Sequence, residues 1–381
     1  MKKALVLGCG LIGRLVAIDL ADSFEVTVID PSEKSLAGLA DRNDIKKVQK
    51  PANDTAALAA AAEEANIVCA LLPQSVEGSV HRQILEMGKN FVSPSGFRTD
   101  DGTFDELAKE TGAVAAFDMG VAPGMSNYLV ARGALTLDFL DFGCIYVGGV
   151  PEKLDPPFNY RTVFCLEDTL NEYCRPARYI KDNKMVQVPA LSGVETIDFP
   201  GVGKLEAFFT DGLRTALYNI KGTVVAEKTM RWPGYVDTIN VMKAAGCFDK
   251  EPITVDGKEV IPFKVTAELF RPRWTLRPEN GDRDLTVMRV VAKGPKGDKY
   301  VTNTWDLLDR FDEKMMVHSM ARTTGYTTAV TARAIADGVI SEPGFHAPET
   351  LAKDNAFYNY LMKEFAKRGI NYKHSELIED K

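Results

Sequence analysis

A glycine-punctuated turn between an apolar run and a helical pattern constrains this chain more than any other feature. Ala4, Leu5, Val6 and Leu7 form a short, part β-branched run that stops at Gly8-Cys9-Gly10-Leu11-Ile12-Gly13, and residues 11–22 then space their apolar positions helically. Residues 25–29 read as a second strand, and it ends on Asp30. Strand, glycine turn, helix, strand and terminal acid together predict a βαβ unit shaped for a dinucleotide.

Each part of that unit has a physical use. Gly8 permits the tight turn, Gly10 lets the backbone approach a pyrophosphate, and Gly13 lets the helix pack closely on the strands. The free N–H groups of Leu11, Ile12 and their neighbours at the helix start would face the phosphate anion. Asp30 follows Gly10 by about 20 positions, where a carboxylate accepts hydrogen bonds from both ribose hydroxyls and repels a 2′-phosphate. The expected cofactor is therefore NAD rather than NADP. A glycine turn alone also serves purely structural ends; the flanking strands and Asp30 favour the cofactor.

The α/β rhythm continues past the fingerprint. Asp54 is placed to cap an alanine-rich helix over 55–65, residues 67–71 read as a strand and 75–87 as a helix, and further alternation runs to Phe117. This predicts a Rossmann-type, doubly wound parallel sheet. Leu72 and Pro73 leave the carboxyl end of a strand, where open α/β sheets bind ligands, and are expected to cover the cofactor. From about Asp138 the texture shifts to longer strands at 140–147, 224–231 and 284–293 with proline-rich loops, which predicts an inserted, mostly antiparallel α+β domain. At 381 residues two structural parts are expected on size alone.

Charge and cysteine usage narrow the partners. A net charge of −7 argues against nucleic acid or an anionic membrane. The first apolar run is too short for a signal-peptide core or a membrane span, which points to a cytoplasmic protein. Cysteines 9, 69, 144, 165, 174 and 247 form no C-x-x-C pair and no metal-ligand spacing with the four histidines. They are expected to be reduced, mostly buried thiols, with no metal.

After Phe117 the chain reads Asp118-Met119-Gly120-Val121-Ala122-Pro123-Gly124-Met125. Two glycines and a proline at a strand's carboxyl end allow close backbone approach to a ligand, with Asp118 at the edge and Gly120 beside the cofactor. On spacing alone, Asp118 reads equally as an acid in a turn.

Several motifs recur in one order: the glycine loop, residues 118–125, Tyr146-Val147-Gly148-Gly149-Val150-Pro151, Leu205-Glu206-Ala207-Phe208, and Thr229-Met230-Arg231-Trp232-Pro233-Gly234-Tyr235. They resemble the saccharopine dehydrogenase/reductase family, most closely its NAD-dependent L-lysine 6-dehydrogenase branch, and the likeness extends over nearly the whole chain. The resemblance implies a nucleotide-binding domain of residues 1–124 completed by 317–381, a substrate and dimerisation domain of 125–316, and a homodimer or larger homo-oligomer. It also implies hydride transfer at a carbon bearing an amine, with a small amino acid as substrate.

Such chemistry needs a proton acceptor for the amine, cations for the amino-acid carboxylate, and tight positioning of the reacting carbon. The resemblance makes Asp118 a substrate contact that pairs with an ammonium. Arg231 is a candidate to grip a carboxylate bidentately, with a structural ion pair as the alternative. Lys228 and Glu206 are candidates for proton transfer, although Lys228 also fits a solvated face.

Two departures stand out. Tyr235 replaces the histidine that ends the corresponding motif of lysine 6-dehydrogenases, and a phenol titrates about three to four units higher than an imidazole. Arg214 lies in a loop that lacks arginine in those enzymes, and it adds an anion-binding group. Three readings follow: an amine dehydrogenase acting on a lysine-like amino acid, a saccharopine- or opine-type dehydrogenase, and a non-catalytic NAD-responsive binding protein.

Overall fold

In the computed structural model, which describes residues 1–96, 102–163 and 165–380, the chain folds as two compact units. The first comprises residues 1–132 and 321–371, the second 133–320 and 372–381.

The first unit is built on a seven-stranded sheet. Its strands are β1 (Lys2–Leu7), β2 (Phe24–Asp30), β3 (Ile45–Gln49), β4 (Ile67–Ala70), β5 (Phe91–Val92), β6 (Val114–Ala116) and the late strand Gly344–His346. Their spatial order is Gly344–His346, β6, β5, β4, β1, β2, β3. All neighbours are parallel. Ala4 to Leu7 and all of β4 are buried, as strands covered by helices on both faces must be. Between β1 and β4 the winding reverses, and the strands' carboxyl ends at such a point are where open α/β sheets bind ligands.

Helix α1 (Leu11–Leu20) buries Leu15, Val16 and Leu20 along one stripe. Each such side chain stabilises by about 1.5–3 kcal/mol. Asp54 caps the alanine-rich helix Thr55–Ala62 by accepting from the Ala57 N–H at 3.0 Å, as its sequence position predicts. On another face Asp19 joins two arginines: Arg368 reaches both its oxygens at 2.7 and 2.9 Å, and Arg333 lies at 3.3 Å.

The second unit is a mixed sheet running Glu195–Phe199, Gly203–Phe209, Val224–Arg231, Phe142–Pro151, Asp284–Lys296, Lys299–Arg310, Tyr372–Asp380. Its pairs are antiparallel except Val224–Arg231 with Phe142–Pro151. Strict alternation of buried and half-buried residues in Lys299–Arg310 shows one face packed and one open. The aromatic side chains of Tyr160, Tyr173, Phe208, Tyr235, Phe270 and Trp274 form a core in this unit.

The chain's end departs from the expected division. Residues 372–380, expected with the nucleotide-binding part, pair along Lys299–Arg310 and join the second sheet. A nine-residue ladder pairs the backbone groups of that segment that face Lys299–Arg310. The helix Met125–Ala134, expected to open the second part, lies with the first unit up to Arg132. All six cysteines are free; 9, 69 and 144 are buried as expected, while Cys165 is exposed and 174 and 247 are half-buried. Among the described residues no helix is long and apolar enough to cross a membrane, and no cluster of three or more ligating side chains could hold a metal ion.

Candidate active site

The glycine loop has the geometry of a phosphate cradle. Gly8 stands at φ +96°, and a Cβ there would lie 2.3 Å from the Leu71 carbonyl oxygen. A Cβ at Gly13 would lie 2.0 Å from the Gly8 oxygen, so any side chain would push the helix off the strand. Gly10 faces open space, with no atom within 4 Å of a would-be Cβ. It begins α1 with no side-chain cap, so the helix's first N–H groups present an uncompensated positive end. Leu11 is exposed and Ile12 half-buried on the same turn. These features fit a dinucleotide pyrophosphate.

Asp30 closes β2 with its carboxylate aimed back at the loop. One oxygen accepts the Cys9 N–H at 2.6 Å and the other the Ser32 N–H at 2.7 Å. Each oxygen keeps a lone pair, enough for a ribose diol. Leu72 is half-buried against the core, and the exposed Pro73 caps the helix Gln74–Glu86.

Asp118 follows β6 at the same carboxyl edge. It is fully buried and held at φ +53°, a left-handed region that non-glycine residues adopt seldom, Asp and Asn more readily than most. Its N–H donates to Ser95 O at 3.4 Å, and the Met119 N–H to Ser93 O at 2.9 Å. Gly120 packs against Pro123 O and the Thr324 methyl, and the Thr328 hydroxyl binds Met119 O at 2.9 Å.

Behind this turn stands Glu77, a residue that the sequence reading missed. It is 2 % exposed, and its carboxylate accepts the Ser95 hydroxyl at 2.5 Å. Glu77, Ser95 and the Asp118 backbone thus form one chain of hydrogen bonds. The available signal was an acid three positions before Val80 and seven before Ile84, on the buried stripe that also carries His81 and Leu85.

In the second unit the strand Val224–Arg231 carries several candidates, and most are already engaged. Lys228 donates to Gly193 O at 2.7 Å and Glu195 Oε1 at 2.5 Å, and lies 4.7 Å over the Phe209 ring. Glu206 accepts the Gly234 and Val236 N–H groups at 3.0 and 2.6 Å, capping the helix Tyr235–Ala244. Tyr235 is 1 % exposed and donates to the Tyr173 hydroxyl at 3.0 Å. Burial first, then neighbouring Tyr173, holds its phenol well above the usual range. All three side chains thus already have hydrogen-bond partners within this unit.

Arg231 sits in an aromatic box rather than on a surface. Its guanidinium stacks 4.6 Å over Tyr160, with Tyr235 at 5.9 Å, and donates to Met230 O at 2.9 Å. Nε has no hydrogen-bond partner among the described residues. Arg214 is half-buried at φ +51°. A polar cleft of about 400 Å³ between Pro151, Asp155, Arg161 and Asp282 holds none of the candidates. Its Arg161 is already paired with Asp155 at 2.8 Å.

Comparison with known proteins agrees with this layout. The family profile "Saccharopine dehydrogenase NADP binding domain" matches residues 4–116, and "Saccharopine dehydrogenase C-terminal domain" matches residues 120–370. The chain is 21 % identical to a Schizosaccharomyces pombe protein named saccharopine dehydrogenase [NADP(+), L-glutamate-forming], over 88 % of this chain and 89 % of that one. It is 25 % identical to the mouse mitochondrial alpha-aminoadipic semialdehyde synthase over 66 % of this chain, spanning 29 % of that longer protein. The fold is shared with apo saccharopine dehydrogenase (L-Glu forming) from Saccharomyces cerevisiae, at TM-score 0.84 and 19 % identity, covering 99 % of this chain and 100 % of that one. With both profiles matched in order across nearly all its length, the chain belongs to the saccharopine dehydrogenase family and is an oxidoreductase.

Proposed function

We propose that this protein is an NAD-dependent dehydrogenase that oxidises the C–N bond of a lysine-derived amino acid carrying a second, glutamate-like carboxylate. The observation that carries the reading is Asp118: a buried carboxylate, kept in a left-handed backbone state at the carboxyl edge of the nucleotide-binding sheet. A carboxylate so placed orients a substrate amine and takes up its proton as the C=N bond develops. A bound nicotinamide supplies the hydride acceptor. Loss of hydride and proton leaves an imine; water adds to its carbon, and the C–N bond then breaks to give an amine and an aldehyde.

Arg214 favours the two-carboxylate substrate over lysine itself, because a guanidinium in an over-determined loop is suited to a planar anion. Arg231, boxed by tyrosines, is proposed as a second, weaker carboxylate contact through its unpartnered Nε. The relatives' names specify NADP(+). Asp30 supports NAD here, since its carboxylate stands where a 2′-phosphate would be repelled. The proposal includes a cytoplasmic homodimer or larger homo-oligomer, read by light scattering.

The test is a panel assay at 340 nm with saccharopine, L-lysine and other diamino acids, each with NAD and NADP. NADH growth greatest with saccharopine is the expected result. Growth with lysine alone selects the lysine 6-dehydrogenase reading, and no growth with any of them overturns the proposal.

A further inference from the structure

The loop of residues 210–215, which carries Arg214, is clamped from two sides by side chains that have no place in the reaction itself. On one side stands Glu227, 4 % exposed on the strand Val224–Arg231. Its Oε2 accepts the Thr210 hydroxyl at 2.7 Å and the Gly212 N–H at 3.2 Å, and Thr210 also pairs with the Thr229 hydroxyl at 2.7 Å. The fit leaves no slack: a Cβ on Gly212 would lie 2.6 Å from that oxygen. On the other side Asp211 receives the Arg178 guanidinium bidentately, at 2.8 Å on each oxygen.

Two residues beyond Gly212, Arg214 adopts φ +51°. An arginine gains nothing locally from that conformation, and it persists only where its surroundings over-determine it. The clamp is part of that constraint. Burial, then the neighbouring Glu172 of the helix Leu166–Glu172, push the Glu227 carboxyl up to about 8, against the lowering influence of the Thr210 and Gly212 bonds and of Arg231. At neutral pH it therefore holds the loop as a neutral acid, without a buried charge.

We propose that Glu227 is a positioning residue for substrate recognition: by fixing Thr210 and Gly212 it sets the Arg214 guanidinium for the second carboxylate of the substrate. This rests on the reading of Arg214 given above. Arginine selects a carboxylate through a planar, two-bond fork, so an error in loop position costs alignment rather than charge. Affinity for the second carboxylate should fall.

The experiment compares wild type, Arg214→Ala, Glu227→Ala and Glu227→Gln at pH 7. Readouts are kcat and KM for saccharopine, Kd for L-glutamate on NADH-saturated protein, and hydrogen exchange of residues 210–215. Losing a charge-assisted carboxylate contact corresponds to about 10- to 100-fold in affinity. Arg214→Ala and Glu227→Ala should both raise KM and Kd within that range, with NADH affinity held within about twofold. Glu227→Gln, a near-isostere of the neutral acid, should restore both, and exchange in the loop should quicken only in Glu227→Ala.

The outcomes separate the two ideas. No glutamate or saccharopine binding by wild type, or no effect of Arg214→Ala, removes the Arg214 reading and this proposal with it. A weakened Arg214→Ala beside an unchanged Glu227→Ala overturns the positioning role alone. Should Glu227→Ala fail to fold, Glu227→Gln still decides: Kd raised tenfold with loop exchange unchanged would refute the clamp.

Discussion

Replacing Asp30 by asparagine tests the cofactor assignment in a way that the geometry makes quantitative. The wild-type carboxylate is anchored by the Cys9 and Ser32 N–H groups, so it cannot swing away from an incoming phosphate. Two unit charges about 5 Å apart, in an effective dielectric of about 20, oppose each other by roughly 3 kcal/mol. A 2′-phosphate carries more than one charge, so wild type should prefer NADH to NADPH by more than about a hundredfold. The Asp30→Asn side chain keeps the shape and loses the charge. Its amide would also meet one of the two N–H groups with its own NH2, at a cost of about 1–2 kcal/mol.

NADH affinity should therefore fall about tenfold as ribose hydrogen bonds weaken, while NADPH affinity rises, bringing the pair within about tenfold of each other. The assay is fluorescence titration of both reduced cofactors at low and high salt, since screening should soften the wild-type discrimination. Equal binding of NADH and NADPH by wild type, or a preference unmoved in Asp30→Asn, would refute the reasoning.

Three further outcomes are expected. Asp118→Asn should lower kcat/KM by about 10²- to 10⁴-fold with NADH affinity unchanged in titration, and a loss under tenfold would remove Asp118 from the proton transfer. Asp19→Ala leaves Arg368 with Glu364 as its one carboxylate partner among the described residues and Arg333 with the Ser23 hydroxyl and the backbone oxygen at position 19, and should cost about 1–3 kcal/mol in chemical denaturation; a cost near zero would show the network to be incidental. Glu227 releases its proton near 4.5 when unfolded and near 8 when folded, so over that window the native state binds the extra proton and its contribution to stability falls as pH rises. Glu227→Gln should flatten that decline between pH 5 and 8 in urea titrations, and parallel curves for variant and wild type would contradict the assignment.

Features that depend on neighbours in sequence were legible before any coordinates. The turn at Gly8 to Gly13 needs only a strand before it, a helix after it and residues lacking Cβ, and Asp30 needs only to end the next strand. The cap at Asp54 is local in the same sense. Motif order carried the family.

Decisions that depend on distant partners were not legible. Residues 372–380 could pair with either sheet on pattern alone, and only the free edge beside Lys299–Arg310 settles it. Lys228, Glu206 and Tyr235 are chemically apt proton carriers by residue type, but Glu195, the N–H groups at 234 and 236, and the aromatic core occupy them. Conversely, Glu77 and Glu227 look like ordinary helix and strand acids until burial places them beneath Asp118 and beside the Arg214 loop. A residue's type fixes what chemistry it can perform; burial and hydrogen-bond partners, set by residues far along the chain, fix which of those chemistries is left open to it.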